Sequence, residues 1–129
     1  MTPWSPERLR PPLTISAGLQ VLMGLPCLLA PALAARLLGA HATADVSLAL
    51  RLFGAAALVL AALAWLASRH VAVAYLRDAA ALLGGYHALA AMVLWGAVVA
   101  GALLPWFPGA AAVTHLFLAG WLAAGLMAR

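Results

Sequence analysis

A chain of 129 residues that is 67% hydrophobic and 8% charged, with a mean hydropathy of +1.08, has too little polar side chain to cover a water-soluble domain. Its net charge of +4 comes from arginines scattered singly rather than clustered with aromatics, which excludes a nucleic-acid groove. A lone cysteine, Cys27, excludes an intrachain disulfide and a Cys-based zinc or iron-sulfur site.

The chain opens with its longest polar stretch, residues 1–12, which holds Arg8 and Arg10. It is read as a cytoplasmic segment ahead of one membrane domain, residues 13–129. The first apolar run covers 13–30, and a run of ~18 to 20 apolar residues spans a ~30 Å hydrocarbon core as a helix. A cleaved signal peptide is the alternative, since basic residues precede the run and Ala32, Leu33 and Ala34 form an A-x-A-like site. The run is longer than an ordinary h-region and carries Pro26 near its end, so a retained spanning helix is expected.

Residues 31–39 follow as a short helix-capable segment, with Pro31 at a tolerated first-turn position and Gly39 as a stop. Too short to span, and carrying Arg36, this segment is expected to lie along the outer face of the membrane. The second run, 46–67, has Asp45 just before it and Arg51 inside it. A joint with Arg69 and Arg77 leads to the third run, 79–102. Residues 103–109 combine Pro105 and Pro108 with Trp106 and Phe107, the makeup of a hairpin at the headgroup boundary. The fourth run is 110–127, and Arg129 ends the chain.

These runs predict an all-α polytopic membrane protein: four transmembrane helices in an antiparallel bundle, with a short interfacial helix after the first. Arg8, Arg10, Arg69, Arg77 and Arg129 fall on one side of that topology and Arg36 and Arg51 on the other. The excess places both termini in the cytoplasm of a cell whose inner (plasma) membrane the chain crosses.

Polar residues inside lipid are costly, which makes each a candidate for function. In the first run Ser16, Gln20, Gly24, Cys27 and Pro31 share one helical stripe. The third run aligns Ala80, Gly84, His87 and Ala91, and the fourth Ala112, His115 and Ala119. In the second, Arg51, Gly54, Ala55, Leu58 and Ala62 are the expected interior face. Small residues along such stripes let helices approach closely in a bilayer. At ~1.5 Å rise per residue, Arg51 and His115 fall ~6 to 9 Å to the outer side of the run centres, and Gln20 and His87 ~4 to 6 Å to the inner side. Two polar layers are expected. The outer one, Arg51 with His115 and Asp45, suits an anionic or carbonyl-bearing ligand, unless Arg51 simply snorkels to headgroups. The inner one, Gln20 with His87 and Tyr86, suits a quinone-like carbonyl or an interhelical tie. A haem shared by His87 and His115 within one chain conflicts with their ~10 Å separation in depth.

No H-E-x-x-H, G-x-S-x-G or intramembrane carboxylate pair occurs, and Glu7, Asp45 and Asp78, the only acids, lie at or beyond the expected boundaries. No catalytic residue and no metal site is expected. The segment 31–39, the Leu50, Arg51, Leu52, Phe53, Gly54 opening of the second helix, and Arg77 ahead of the third resemble the DoxX-like group of small four-helix membrane proteins. That resemblance implies an integral membrane subunit or accessory protein, associated in some members with quinone-linked oxidoreductases. The sequence thus suggests a non-catalytic subunit, assembly factor or scaffold, with the lipid bilayer and a membrane protein or second copy as partners and no nucleic acid. The alternative is a lipid, quinone or solute binder or carrier that uses Gln20, Arg51, Tyr86, His87 and His115.

Overall fold

The computed structural model describes residues 5–70, 72–101 and 106–127. A 3-10 turn over Pro6–Leu9 leads into helices α1 (Arg10–Leu29), α2 (Pro31–Leu38), α3 (Ala44–His70), α4 (Val73–Val99) and α5 (Trp106–Met127). Four of these, α1, α3, α4 and α5, are long and apolar enough to cross a membrane. All four begin before the corresponding apolar run, because a helix continues through residues that hydropathy alone assigns to a joint.

Helix α1 starts on Arg10 with Pro11 and Pro12 in its first turn, where proline's missing N–H is no loss. Pro26 lies inside the helix without ending it. The break comes at Ala30 (φ −134°, ψ 59°), the residue before Pro31, whose ring disfavours helical backbone in its predecessor. Pro31 then begins α2, which ends as the sequence predicts at Gly39. There φ is +76°, and the amides of Gly39 and Ala40 bond the carbonyls of Arg36 and Ala35, a Schellman closure that glycine allows without strain. Thr43 caps α3, its Oγ1 accepting from the Val46 amide at 3.3 Å.

Residues 103–105 of the expected hairpin lie outside the described residues, as does Arg129. Its later part, from Trp106 to Gly109, belongs to the first turn of α5 instead, with Pro108 buried.

Helix α1 packs along α3, and α4 along α5. The α1–α3 crossing is set by Gly24 and Gly54: a Cβ on Gly54 would stand 2.6 Å from the Leu28 amide nitrogen and 2.7 Å from the Gly24 carbonyl oxygen. Backbone thus meets backbone, which is how helices gain contact where lipid removes any hydrophobic drive between them. Near the start of α1, Leu9, Leu13 and Ala17 pack with Ala64 and Ala67 of α3, Leu76, Ala80 and Leu83 of α4 and Leu122 of α5. This end is also tied by polar bonds, from the Arg10 guanidinium to the Ser68 carbonyl and from Arg77 to the Leu126 carbonyl. The candidate site lies farther along α1, beyond this cluster, around Gln20, His87 and His115.

Candidate functional site

Helix α1 presents Ser16, Gln20, Gly24 and Cys27 on its buried face, the stripe expected from their spacing. Helix α4 presents His87 on the same stripe as Ala80 and Ala91, and α5 presents His115 with Ala112, all buried. Helix α3 differs. Its buried positions are Gly54, Ala57, Ala61, Ala64, Ala67 and Ser68, whereas Ala55 and Ala62 are exposed. The centre of the buried stripe is rotated about 100°, one residue's turn, from the face predicted through Arg51. Alanine is spread all around this helix, so only Arg51 marked a face, and it marked the wrong one.

Arg51 is accordingly exposed and joins no polar layer with His115. The snorkelling alternative suits that position, since a long stem can carry the guanidinium toward headgroups. Asp45 is likewise exposed, on the first turn of α3.

The two separate layers merge into one network. Gln20 Nε2 donates to Ser16 Oγ at 2.9 Å. Ser16 Oγ lies 2.7 Å from His87 Nε2, and His87 Nδ1 faces His115 Nδ1 at 2.6 Å. The expected ~10 Å difference in depth between the two histidines is therefore overturned. Helix α4 starts at Val73, and α5 at Trp106, so their midpoints fall near residues 86 and 116, which brings His87 and His115 level. Arg77 and Asp78 misled the sequence reading: they look like a joint but lie one turn inside α4.

Ser16 is the bridge that sequence reasoning left out of the site. Its position one helical turn before Gln20 was the available signal, since i and i+4 side chains meet on one face. Tyr86 completes the group from α4, its ring edge-on to both imidazoles at centroid distances of 5.3 and 6.0 Å. Thr114, by contrast, satisfies itself on the Ala110 carbonyl.

The network borders a cavity of about 230 Å³, walled on the polar side by Gln20, Tyr86 and His115 and elsewhere by apolar side chains such as Leu19, Phe53 and Leu94. Cys27, a free thiol, also lines it. Exposed Phe53 stands at its rim. Among the described residues one buried side-chain polar atom lacks a partner: Gln20 Oε1, on a residue only 2% exposed. Buried polar atoms without partners are rare, because each loses its hydration without compensation.

The histidine pair does not suit a shared metal ion. Two imidazole nitrogens on one ion, each at about 2 Å, stand roughly 3 Å or more apart, whereas these sit at 2.6 Å, the spacing of a hydrogen bond. No group of three or more metal-ligating side chains occurs among the described residues.

No family model, no curated protein and no solved structure matches this chain. The resemblance to the DoxX-like group therefore rests on the residues quoted above.

Proposed function

We propose that this chain is a non-catalytic membrane protein that binds a small, largely apolar molecule between its helices, beside the Gln20–Ser16–His87–His115 network. The observation that carries the reading is Gln20, a residue that lines a mostly apolar cavity with Tyr86 and His115 and whose amide oxygen is buried beside it without a partner. Small-molecule sites combine apolar walls with a few convergent polar groups, as this cavity does. An engineered apolar cavity of about 150 Å³ accommodates benzene. A space of about 230 Å³ suits a bicyclic ring or the head of a longer lipid or quinone-type molecule.

In the same proposal the four long helices form an antiparallel bundle in a bacterial-type inner membrane, both termini are cytoplasmic, and α2 lies along the outer face. Support comes from Arg8, Arg10, Arg69 and Arg77, which all lie near the helix ends that the Arg10–Ser68 and Arg77–Leu126 bonds draw together. After replacing Cys27 by alanine, single cysteines at Ser5 and His41 should react with an impermeant maleimide from opposite faces of the membrane.

Naphthalene tests the cavity itself. Saturable binding above partition into empty micelles, lost in Leu94→Trp with helicity unchanged, is the expected result. If neither naphthalene nor 1-naphthol binds above the micelle background, the binding role fails.

A second reading, as a subunit of a membrane complex or of a homo-oligomer, is favoured by one observation. Gly85 on α4 and Gly120 on α5 border a shallow groove with Ala81, Ala88 and Ala123, yet a Cβ at either glycine would meet nothing within 4 Å. Packing within the chain does not require their smallness, although each costs a helix about 1 kcal/mol relative to alanine. Cross-linking in native membranes through a cysteine at Gly85 would capture a neighbouring helix under this reading.

A further inference from the structure

We propose that the occupant of this cavity carries a hydroxyl group, which donates one hydrogen bond and accepts another, rather than a carbonyl alone. The inference rests on the binding reading above and follows from counting protons along the network. Each of its three contacts holds one hydrogen, and a neutral imidazole has one N–H and one bare nitrogen. With Gln20 Nε2 donating to Ser16, the Ser16 hydroxyl donates to His87 Nε2. His87 then carries its proton on Nδ1 and donates to His115 Nδ1, so His115 must be protonated on Nε2.

The chain therefore has a direction. One end offers an acceptor, the unpartnered Gln20 Oε1, and the other a donor, His115 Nε2–H. Reversal gives the complementary arrangement. If the Gln20 amide turns over, Ser16 donates to its oxygen and accepts from His87 Nε2–H, His87 Nδ1 accepts from His115 Nδ1–H, and His115 Nε2 becomes a bare acceptor. The free end of Gln20 is then an N–H donor. In either state the two ends present one donor and one acceptor, never two of a kind.

Both Gln20 and His115 line the same cavity. Gln20 Oε1 is covered in the empty state. The terminal amide torsion of glutamine is broad, so in this proposal the amide rotates on binding to meet the occupant. A carbonyl, ether or alkene can answer only the donor end and leaves the acceptor buried and unmet. A hydroxyl seated between the two ends would answer both, in either direction of the chain. The remaining lining is apolar, so the rest of the occupant is hydrocarbon: an isoprenoid or fatty alcohol, a sterol-like alcohol or a phenol.

The experiment uses the full chain in detergent micelles and three probes of one skeleton: 1-naphthol, 1-methoxynaphthalene and naphthalene. Affinities are referred to partition into empty micelles, so that hydrophobicity cancels. The expected ranking in the unaltered protein places 1-naphthol roughly tenfold or more ahead of both others, the worth of two paired groups against one or none. Gln20→Met should remove that advantage while leaving naphthalene binding intact. Ser16→Ala should narrow the gap between 1-naphthol and 1-methoxynaphthalene, because the two ends then choose donor or acceptor independently. A side chain that merely shapes the cavity would change all three affinities together.

Equal binding of all three probes in the unaltered protein overturns the hydroxyl inference and leaves the binding role standing. A 1-naphthol advantage that survives Gln20→Met also overturns it, by placing the hydroxyl elsewhere. Absence of binding by any probe overturns the binding role itself. The ranking in the unaltered protein requires no variant to fold.

Discussion

Gly54→Ala should destabilise the chain, although alanine is the better helix former. A Cβ at this position stands 2.6 Å from the Leu28 nitrogen and 2.7 Å from the Gly24 oxygen, about 0.8 Å inside the 3.4 Å at which ordinary contact begins. Both obstacles are backbone, so no side chain can swing aside, and α1 and α3 must separate by a comparable distance. A gap of ~0.5 to 1 Å forfeits a quarter to a half of each contact's dispersion energy, and dispersion is the main attraction between helices in lipid. Overpacking costs ~1 to 3 kcal/mol, against which alanine returns ~1 kcal/mol of helix propensity. The net expectation is a loss of up to about 2 kcal/mol. Gly85→Ala serves as the internal control, because its Cβ meets nothing within 4 Å, so propensity alone should make it neutral or up to ~1 kcal/mol more stable. Reversible unfolding in mixed micelles, followed by circular dichroism, would measure both. A Gly54→Ala protein as stable as Gly85→Ala would refute the close backbone crossing of α1 and α3.

Ser16→Ala removes the interhelical bond to His87 and, within α1, the acceptor for Gln20, and should cost about 1 kcal/mol in the same unfolding assay, since interhelical hydrogen bonds in membranes average ~0.6 kcal/mol and other intramolecular ones contribute about as much. Gln20→Met should instead leave the empty protein as stable or slightly more so, by removing a buried acceptor that no group satisfies. A clear loss of stability there would mean that the oxygen has a partner in the membrane. Gly39→Ala places a side chain at φ +76° and should lower stability by about 1 kcal/mol, with asparagine at that position costing less than alanine. Arg10→Met removes the bond to the Ser68 carbonyl at the end of α3. Faster amide hydrogen exchange over the last turn of α3, with the rest of that helix unchanged, is the expected result.

Composition and run length alone determined that this chain is helical and has four segments able to cross a membrane, because the bilayer sets a length and forbids unsatisfied backbone. Local chemistry also made α2 legible, since Pro31 and Gly39 act through their own backbone geometry. The buried stripe of α1 was readable because Ser16 and Gln20, both polar, fall on it, and polar groups are driven from lipid. On α3 the same reasoning failed: alanine fits lipid and protein interior equally well, and the one charged residue sits outside the packed face. The register between α4 and α5 could not be read, because hydropathy ended α4's span at two charged residues that the helix passes through. That register decides whether His87 and His115 are ~10 Å apart or share a hydrogen bond. The candidate residues were therefore visible in the sequence, but their union into a single directed network with Ser16 and an orphaned Gln20 oxygen was decided only by tertiary packing. Side-chain hydrogen bonds act over 3 Å, and a shift of four residues along a helix moves a group by 6 Å.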